Sequence, residues 1–170
     1  MSRGFVKEDD QEEAPFVPQR AVLPHGEINY VTPIGYDKLK EERRKLEQEI
    51  SELDLEEGKE RRHALAVLNG KLNLLQDRIA SARILKPIEQ PQGEVRFGAL
   101  VVFKMLDNKE NGSIKKFQIV GVDEANIKEN KIAFVAPLAK GLTGKKKHET
   151  TEVVMAGKPT LLEIIDIIYD

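Results

Sequence analysis

Between residues 33 and 82 the apolar side chains recur at helical spacing. Tyr36, Leu39, Leu46, Ile50 and Leu53 step by three, seven, four and three, a heptad seam broken at Arg43. Thr32 can cap such a helix and Pro33 suits its first position. After Gly58 a second stripe follows, Leu65, Leu68, Leu72, Leu75, Ile79 and Ala82, alternating by three and four. Two narrow stripes joined by a few polar residues predict an antiparallel helical hairpin over residues 31–86, each stripe covering the other. The alternative is one continuous helix in an intermolecular coiled coil, and Gly58 argues against it at a cost of about 1 kcal/mol. A monomer is therefore expected.

Pro87, Pro91 and Gly93 end the helical pattern, and the period then changes. Residues 99–105, 114–120, 132–135, 151–155 and 160–168 are rich in Val, Ile, Phe and Thr and are separated by turn residues, which predicts five strands within 93–170. Asp107 to Gly112 reads as a hairpin loop, and Pro137 opens a short helix that Gly141 and Gly144 end. The last strand is apolar on both faces apart from Glu163 and Asp166, so it is expected at the centre of the sheet. The fold class is α+β, a helical hairpin followed by a β-rich domain with a short helix.

Residues 1–30 fit neither pattern. They hold Glu8, Asp9, Asp10, Glu12 and Glu13 with Pro15, Pro18 and Pro24, and are expected to be extended or disordered when alone. This arm has six acids against three bases, whereas 31–86 has eleven against twelve and the remainder twelve against twelve, so the net charge of −2 originates in the arm. A near-neutral chain has no global electrostatic grip on nucleic acid. Without cysteine, and with His25, His63 and His148 scattered, the chain offers neither a thiol nucleophile nor zinc-ligand spacing. The N-terminus lacks the basic-then-apolar order of a signal peptide, and no run of about 18 apolar residues appears, so a cytoplasmic protein with no membrane partner is expected.

The stretch Phe117-Gln-Ile-Val-Gly-Val-Asp-Glu-Ala-Asn126, continuing through Ala136-Pro137-Leu138 to Lys145, resembles the signature of the C-terminal domain of GreA/GreB transcription factors. Val31-Thr-Pro-Ile-Gly-Tyr-Asp-Lys-Leu-Lys40 is similar to the opening of that family's first helix, and Ala82-Arg-Ile-Leu85 to the end of its second. The acidic arm is additional to the family pattern. The resemblance implies an FKBP-like C-terminal domain that docks on bacterial RNA polymerase at the rim of its secondary channel, with the coiled-coil hairpin pointing inward toward the nascent RNA. Carried over residue by residue, it places Asp123, Glu124, Ala136, Pro137 and Leu138 at the docking surface, with Ala136 where many members have serine.

The resemblance also implies a role for the segment between the helices, where Glu52, Asp54, Glu56 and Glu57 precede the first base, Lys59. Asp54-Leu-Glu-Glu57 matches an Asp-Leu-Ser-Glu order in which two carboxylates help hold a catalytic Mg2+ shared with the polymerase active site. Asp54 and Glu57 are thus the candidate catalytic and metal residues of an accessory factor that is not itself an enzyme and has no cofactor of its own. Yet the hairpin is shorter than the family norm by roughly two heptads, about one per arm, which withdraws the tip by ~10 Å. Two subreadings follow, stimulation of transcript cleavage or modulation of polymerase by occupying the channel. Two further alternatives are a peptidyl-prolyl isomerase, for which the aromatic residues are better spent on core, and a regulator of another enzyme such as nucleoside diphosphate kinase.

Elsewhere the charges look ordinary. Lys38, Lys40, Arg43, Arg44 and Lys45 are interleaved with Glu41, Glu42, Glu47 and Glu49 at helical pairing distance, as expected of a solvated face. Lys145, Lys146, Lys147 and His148 read as a charged turn.

Overall fold

The structure, a computed structural model, describes residues 13–107 and 112–170. Of the acidic run only Glu13 falls among them, and the tip of the 107–112 loop lies outside them. The chain is α+β. Its helices are α1 (Pro33–Ser51), α2 (Lys59–Ser81) and α3 (Pro137–Leu142). Its strands are β1 (Tyr30–Val31), β2 (Arg83–Ile84), β3 (Leu100–Met105), β4 (Ile114–Val120), β5 (Lys131–Ala133), β6 (Thr150–Met155) and β7 (Lys158–Ile168).

Helix α1 starts where the sequence places it: Thr32 is the N-cap, its Oγ1 accepting the Gly35 N–H at 2.9 Å, and Pro33 follows. The chain turns back through residues 52–58, held by Arg61, whose Nη1 donates to the carbonyls of Leu53 and Leu55 at 3.0 and 3.1 Å. Helix α2 then packs on α1. Val31, Leu39, Leu46 and Leu75 form a buried core with Tyr36, Leu68, Leu72 and Ile79 against it. At the hairpin's base β1 and β2 pair in parallel, Tyr30 with Arg83 and Val31 with Ile84, a two-residue ladder too short to show as a sequence pattern.

The second core lies under a five-stranded sheet of order β5-β4-β3-β7-β6, in which β4 and β5 run parallel and the other pairs antiparallel. β3 alternates, burying Val101, Phe103 and Met105, as a sheet with one covered face requires. α3 covers that face with Ala139 and Leu142, packed among Val153, Leu162 and Ile164. β7 is interior, between β3 and β6, but the middle strand is β3, which corrects the expectation for the last strand. The two faces of β7 are not equally covered: Leu162 and Ile164 are buried in the core, whereas Leu161 and Ile168 are exposed.

Residues 13–29 contain no helix or strand and run along α2. Val17 lies against Gly70, where a Cβ would stand 2.6 Å from Val17 Cγ2. Asn29 Nδ2 donates to the Arg78 carbonyl at 2.9 Å, near the C-terminal end of α2. No helix is long and apolar enough to cross a membrane among the described residues.

Candidate functional site

The loop after β4, residues 121–126, and the segment after β5 that opens α3 leave the same end of the sheet, because parallel β4 and β5 pair Val120 with Ala133. The Phe134 N–H donates to the Val120 carbonyl at 2.9 Å and ties the two segments together at their roots. Both carry residues that the sequence singles out. Pro137 is exposed, while Ala136 and Leu138 are half-buried at the first turn of α3.

Asp123 and Glu124 face inward. Glu124 is buried, its Oε2 accepting the Thr32 hydroxyl at 2.5 Å and its Oε1 accepting from Lys131 Nζ at 3.2 Å. The same Thr32 oxygen accepts from Gly35, so one hydroxyl caps α1 and passes a hydrogen bond to the carboxylate at the positive end of that helix. The approach requires Gly35, since a Cβ there would stand 2.6 Å from Glu124 Oε2. Gly121 serves the same purpose beside it, with the Tyr30 carbonyl 2.6 Å from where its Cβ would be.

Asp123 sits between two arginines. Arg20, from the N-terminal arm, donates through Nε to Oδ1 at 2.9 Å, and Arg78 Nε, from α2, lies 3.1 Å from Oδ2. The Arg78 contact is an ion pair without hydrogen-bond geometry. Arg20 also makes a two-pronged contact with Glu42 on α1, at 2.7 and 3.0 Å. The Glu42 hydrogen bonds first, and the field of Asp123 after them, raise the Arg20 pKa above its ordinary value despite partial burial. The loop therefore joins the arm, both long helices and the sheet.

The tip is different in character. Asp54, Glu56 and Glu57 are exposed, and Glu57 has an ionic contact with Arg61 at 3.8 Å. No group of three or more His, Cys, Asp or Glu is placed to hold a metal ion among the described residues. Magnesium takes octahedral oxygen ligation, and two carboxylates on a solvated loop do not make that site by themselves. No chemical step is assigned to a metal on this chain.

Sequence reasoning missed Arg20, Arg78, Lys131 and the two glycines of the joint. One signal was present for the first: Arg20 is the only Lys or Arg between Lys7 and Lys38, in an arm otherwise acidic and apolar. The interleaved charges of α1 do pair along its surface, Arg44 with Glu41 and Arg43 with Glu47, but Glu42 leaves that pattern for the arm. The basic turn is a turn, with Lys147 paired to Asp166 at 3.2 Å.

A hairpin of two long helices on a sheet-based domain, with a buried polar joint between them, is the class of molecule the geometry defines. Residues 90–169 match the GreA/GreB C-terminal domain of transcription elongation factors. Across most of its length the chain is 34% identical over 155 residues to transcription elongation factor GreA of Thermodesulfovibrio yellowstonii, covering 82% of this chain and 96% of that one. It is 34% identical over 150 residues to GreA of Brucella canis, covering 79% and 94%. The chain belongs to the GreA/GreB family of transcription elongation factors.

Solved structures similar to it include GreA factor homolog 1 of Thermus thermophilus, with TM-score 0.40 and 19% identity over 84% of this chain and 99% of that one. A GreA/GreB factor from Nitrosomonas europaea matches with TM-score 0.40 and 16% identity over 82% and 98%. The isomerase and kinase-regulator alternatives are not favoured beside the elongation-factor relatives.

Proposed function

We propose that this elongation factor docks on bacterial RNA polymerase at the rim of the secondary channel and modulates the enzyme by placing its hairpin, an antiparallel coiled coil, in that channel. It acts as a monomer and as an accessory to polymerase, in the cytoplasm. The docking surface comprises the loop holding Asp123 and the Ala136-Pro137-Leu138 segment of an FKBP-like domain, which share one end of the sheet. Glu124, buried against α1, contributes by fixing that loop rather than by touching the partner.

The observation that carries this reading is the hairpin itself: α1 and α2 pack on each other through Leu39, Leu46 and Leu75 and present an exposed acidic loop at the end away from the sheet. A 19-residue helix spans about 28 Å, enough to enter a channel. Shortening by about one heptad per arm leaves Asp54 and Glu57 ~10 Å short of the family position, and side-chain rotamers do not recover that distance. Any magnesium shared with polymerase would then lie beyond their reach, since ligation needs oxygen near 2 Å. Channel occupancy has no such requirement.

The test is transcript cleavage in a backtracked elongation complex. The unaltered protein is expected to stimulate cleavage poorly while competing with a full-length GreA, and a variant with one heptad added to each arm is expected to gain stimulation. Strong magnesium-dependent cleavage by the unaltered protein, lost in the Asp54→Ala, Glu57→Ala double variant, would refute the shortened-reach argument.

A further inference from the structure

Neither hydrophobic core has a use for the arm. Its side chains Phe16 and Val22 are 81% and 79% exposed, so apolar burial does little to hold it. Besides buried Asn29 at its end, what holds it is Val17 over Gly70, the Ala21 carbonyl accepting from Arg78 Nη2 at 2.6 Å, and Arg20 in its fork between Glu42 and Asp123. Beside this seat, residues 18–21 of the arm form one wall of a cleft of about 450 Å³ whose other wall includes Leu46, Lys71, Leu74 and Val122.

We infer that the arm's seat, formed by Gly70, Glu42 and Asp123, is a receptor for an extended, arginine-bearing segment of the protein partner, and that the arm occupies it in cis as a competitor. The inference rests on the proposed docking through Asp123. The two guanidinium groups on that carboxylate differ in kind. Arg78 belongs to α2 and stays in the wall whatever the arm does, whereas Arg20 comes from a segment without regular structure and is exchangeable. An incoming guanidinium repeats the two-pronged contact with Glu42 and the single bond to Asp123, so exchange conserves the charge-assisted hydrogen bonds. With Arg78 and Lys71 nearby the local charge is balanced, so the forked geometry of Glu42 and Asp123, which matches a guanidinium and offers phosphate no donor, is what commits the seat to an arginine-bearing protein segment. A site filled in cis binds with its intrinsic affinity reduced by the fraction of time it stands open, so the arm sets how readily the factor engages.

The chain has no cysteine, and a Cβ at Gly70 would lie 3.4 Å from Val17 Cβ, close to the disulfide range of roughly 3.5–4.5 Å. A full-length Val17→Cys, Gly70→Cys variant thus locks the arm on oxidation and frees it on reduction. Binding to core RNA polymerase is measured by biolayer interferometry, with circular dichroism confirming that the helices are retained. The oxidised form is expected to bind about tenfold more weakly than the reduced form, and full-length Arg20→Gln several-fold more tightly than the unaltered chain. Equal affinities of the oxidised and reduced forms, or weaker binding by Arg20→Gln, overturn the inference. Asp123→Asn added to Arg20→Gln separates the two layers. Loss of binding there upholds docking through Asp123 whatever the arm does, and undiminished binding removes the docking reading together with the inference.

Discussion

Replacing Glu124 with alanine should damage the joint before it damages any binding surface. The side chain is 4% exposed and is addressed by the Thr32 hydroxyl at 2.5 Å, by Lys131 Nζ at 3.2 Å and by the first turn of α1. Breaking a buried ion pair by removing one partner costs about 3–5 kcal/mol. Lys131 moderates this, because it is 17% exposed and keeps Glu129 at 3.6 Å, and Thr32 still caps Gly35. The expected loss is therefore about 2–3 kcal/mol. At about 2–4 °C per kcal/mol for a chain of this size, Tm should fall by roughly 5–10 °C in a calorimetric scan. Glu124→Gln, which still accepts the Thr32 hydroxyl through its amide oxygen, should lose about half as much. An unchanged Tm in the alanine variant, with polymerase binding abolished, would refute the reasoning, because the carboxylate would then serve a partner and not the joint.

Gly121→Ala should cost about 1–3 kcal/mol in urea unfolding, because its Cβ meets the Tyr30 backbone oxygen at 2.6 Å and backbone yields less readily than a side chain; an unshifted midpoint would separate the loop from the hairpin base. Leu75→Ala empties the fully buried centre of the hairpin core and should cost about 2–5 kcal/mol, read as an earlier thermal loss of helical circular dichroism; a melt matching the unaltered protein would argue against the pairing of α1 and α2. Burial raises the Tyr169 pKa above its ordinary 10.0, so the folded chain holds that proton more tightly than the unfolded chain does. The resulting stabilisation is complete below pH 10.0 and is lost as pH rises through the folded value. Tyr169→Phe should flatten that alkaline loss while giving up the hydrogen bonds to the Glu94 carbonyl and from the Arg96 N–H, and an alkaline limb identical to that of the unaltered chain would assign the loss elsewhere.

The helices and strands were legible because each repeats a physical constraint many times. Thr32-Pro33 marks a helix start through capping chemistry, and Leu39, Leu46 and Leu75 sit in the hairpin core because a two-helix pair needs one stripe from each partner. β4 begins and ends at Ile114 and Val120 as read, since turn residues bound it on both sides. The joint was not legible. It is made by single residues far apart in sequence: Arg20 reaches Asp123 across 103 positions and Thr32 reaches Glu124 across 92, and no local period encodes such pairs. Asp123 and Glu124 were found through family resemblance, which marks them as important without saying which way they point. The glycines that admit them, Gly35 and Gly121, read locally as a helix residue and a turn. Only the approach of Glu124 and of the Tyr30 carbonyl explains why neither can carry a Cβ without displacement.

The two neighbouring carboxylates divide the work of aiming the hairpin. Glu124 fixes the start of α1, and Asp123 fixes the arm and the last turns of α2, so tilting the hairpin in any direction breaks one set of buried contacts or the other. The stiffness matters because the hairpin is a lever. With about 28 Å from joint to tip, a tilt of roughly 4° already moves the acidic loop by ~2 Å, a full metal–oxygen bond length. A long hairpin that must deliver a carboxylate to a fixed point therefore needs a joint rigid to a few degrees. A short one that only fills a channel tolerates far more. In this chain the joint is secured from three sides, by Glu124 on α1, by Asp123 beside Arg78 of α2 and by Arg20 of the arm. The arm is tied into that same joint, because its Arg20 and the helix's Arg78 meet on one carboxylate, and removing the first leaves the second on Asp123 while Glu124 still holds the start of α1.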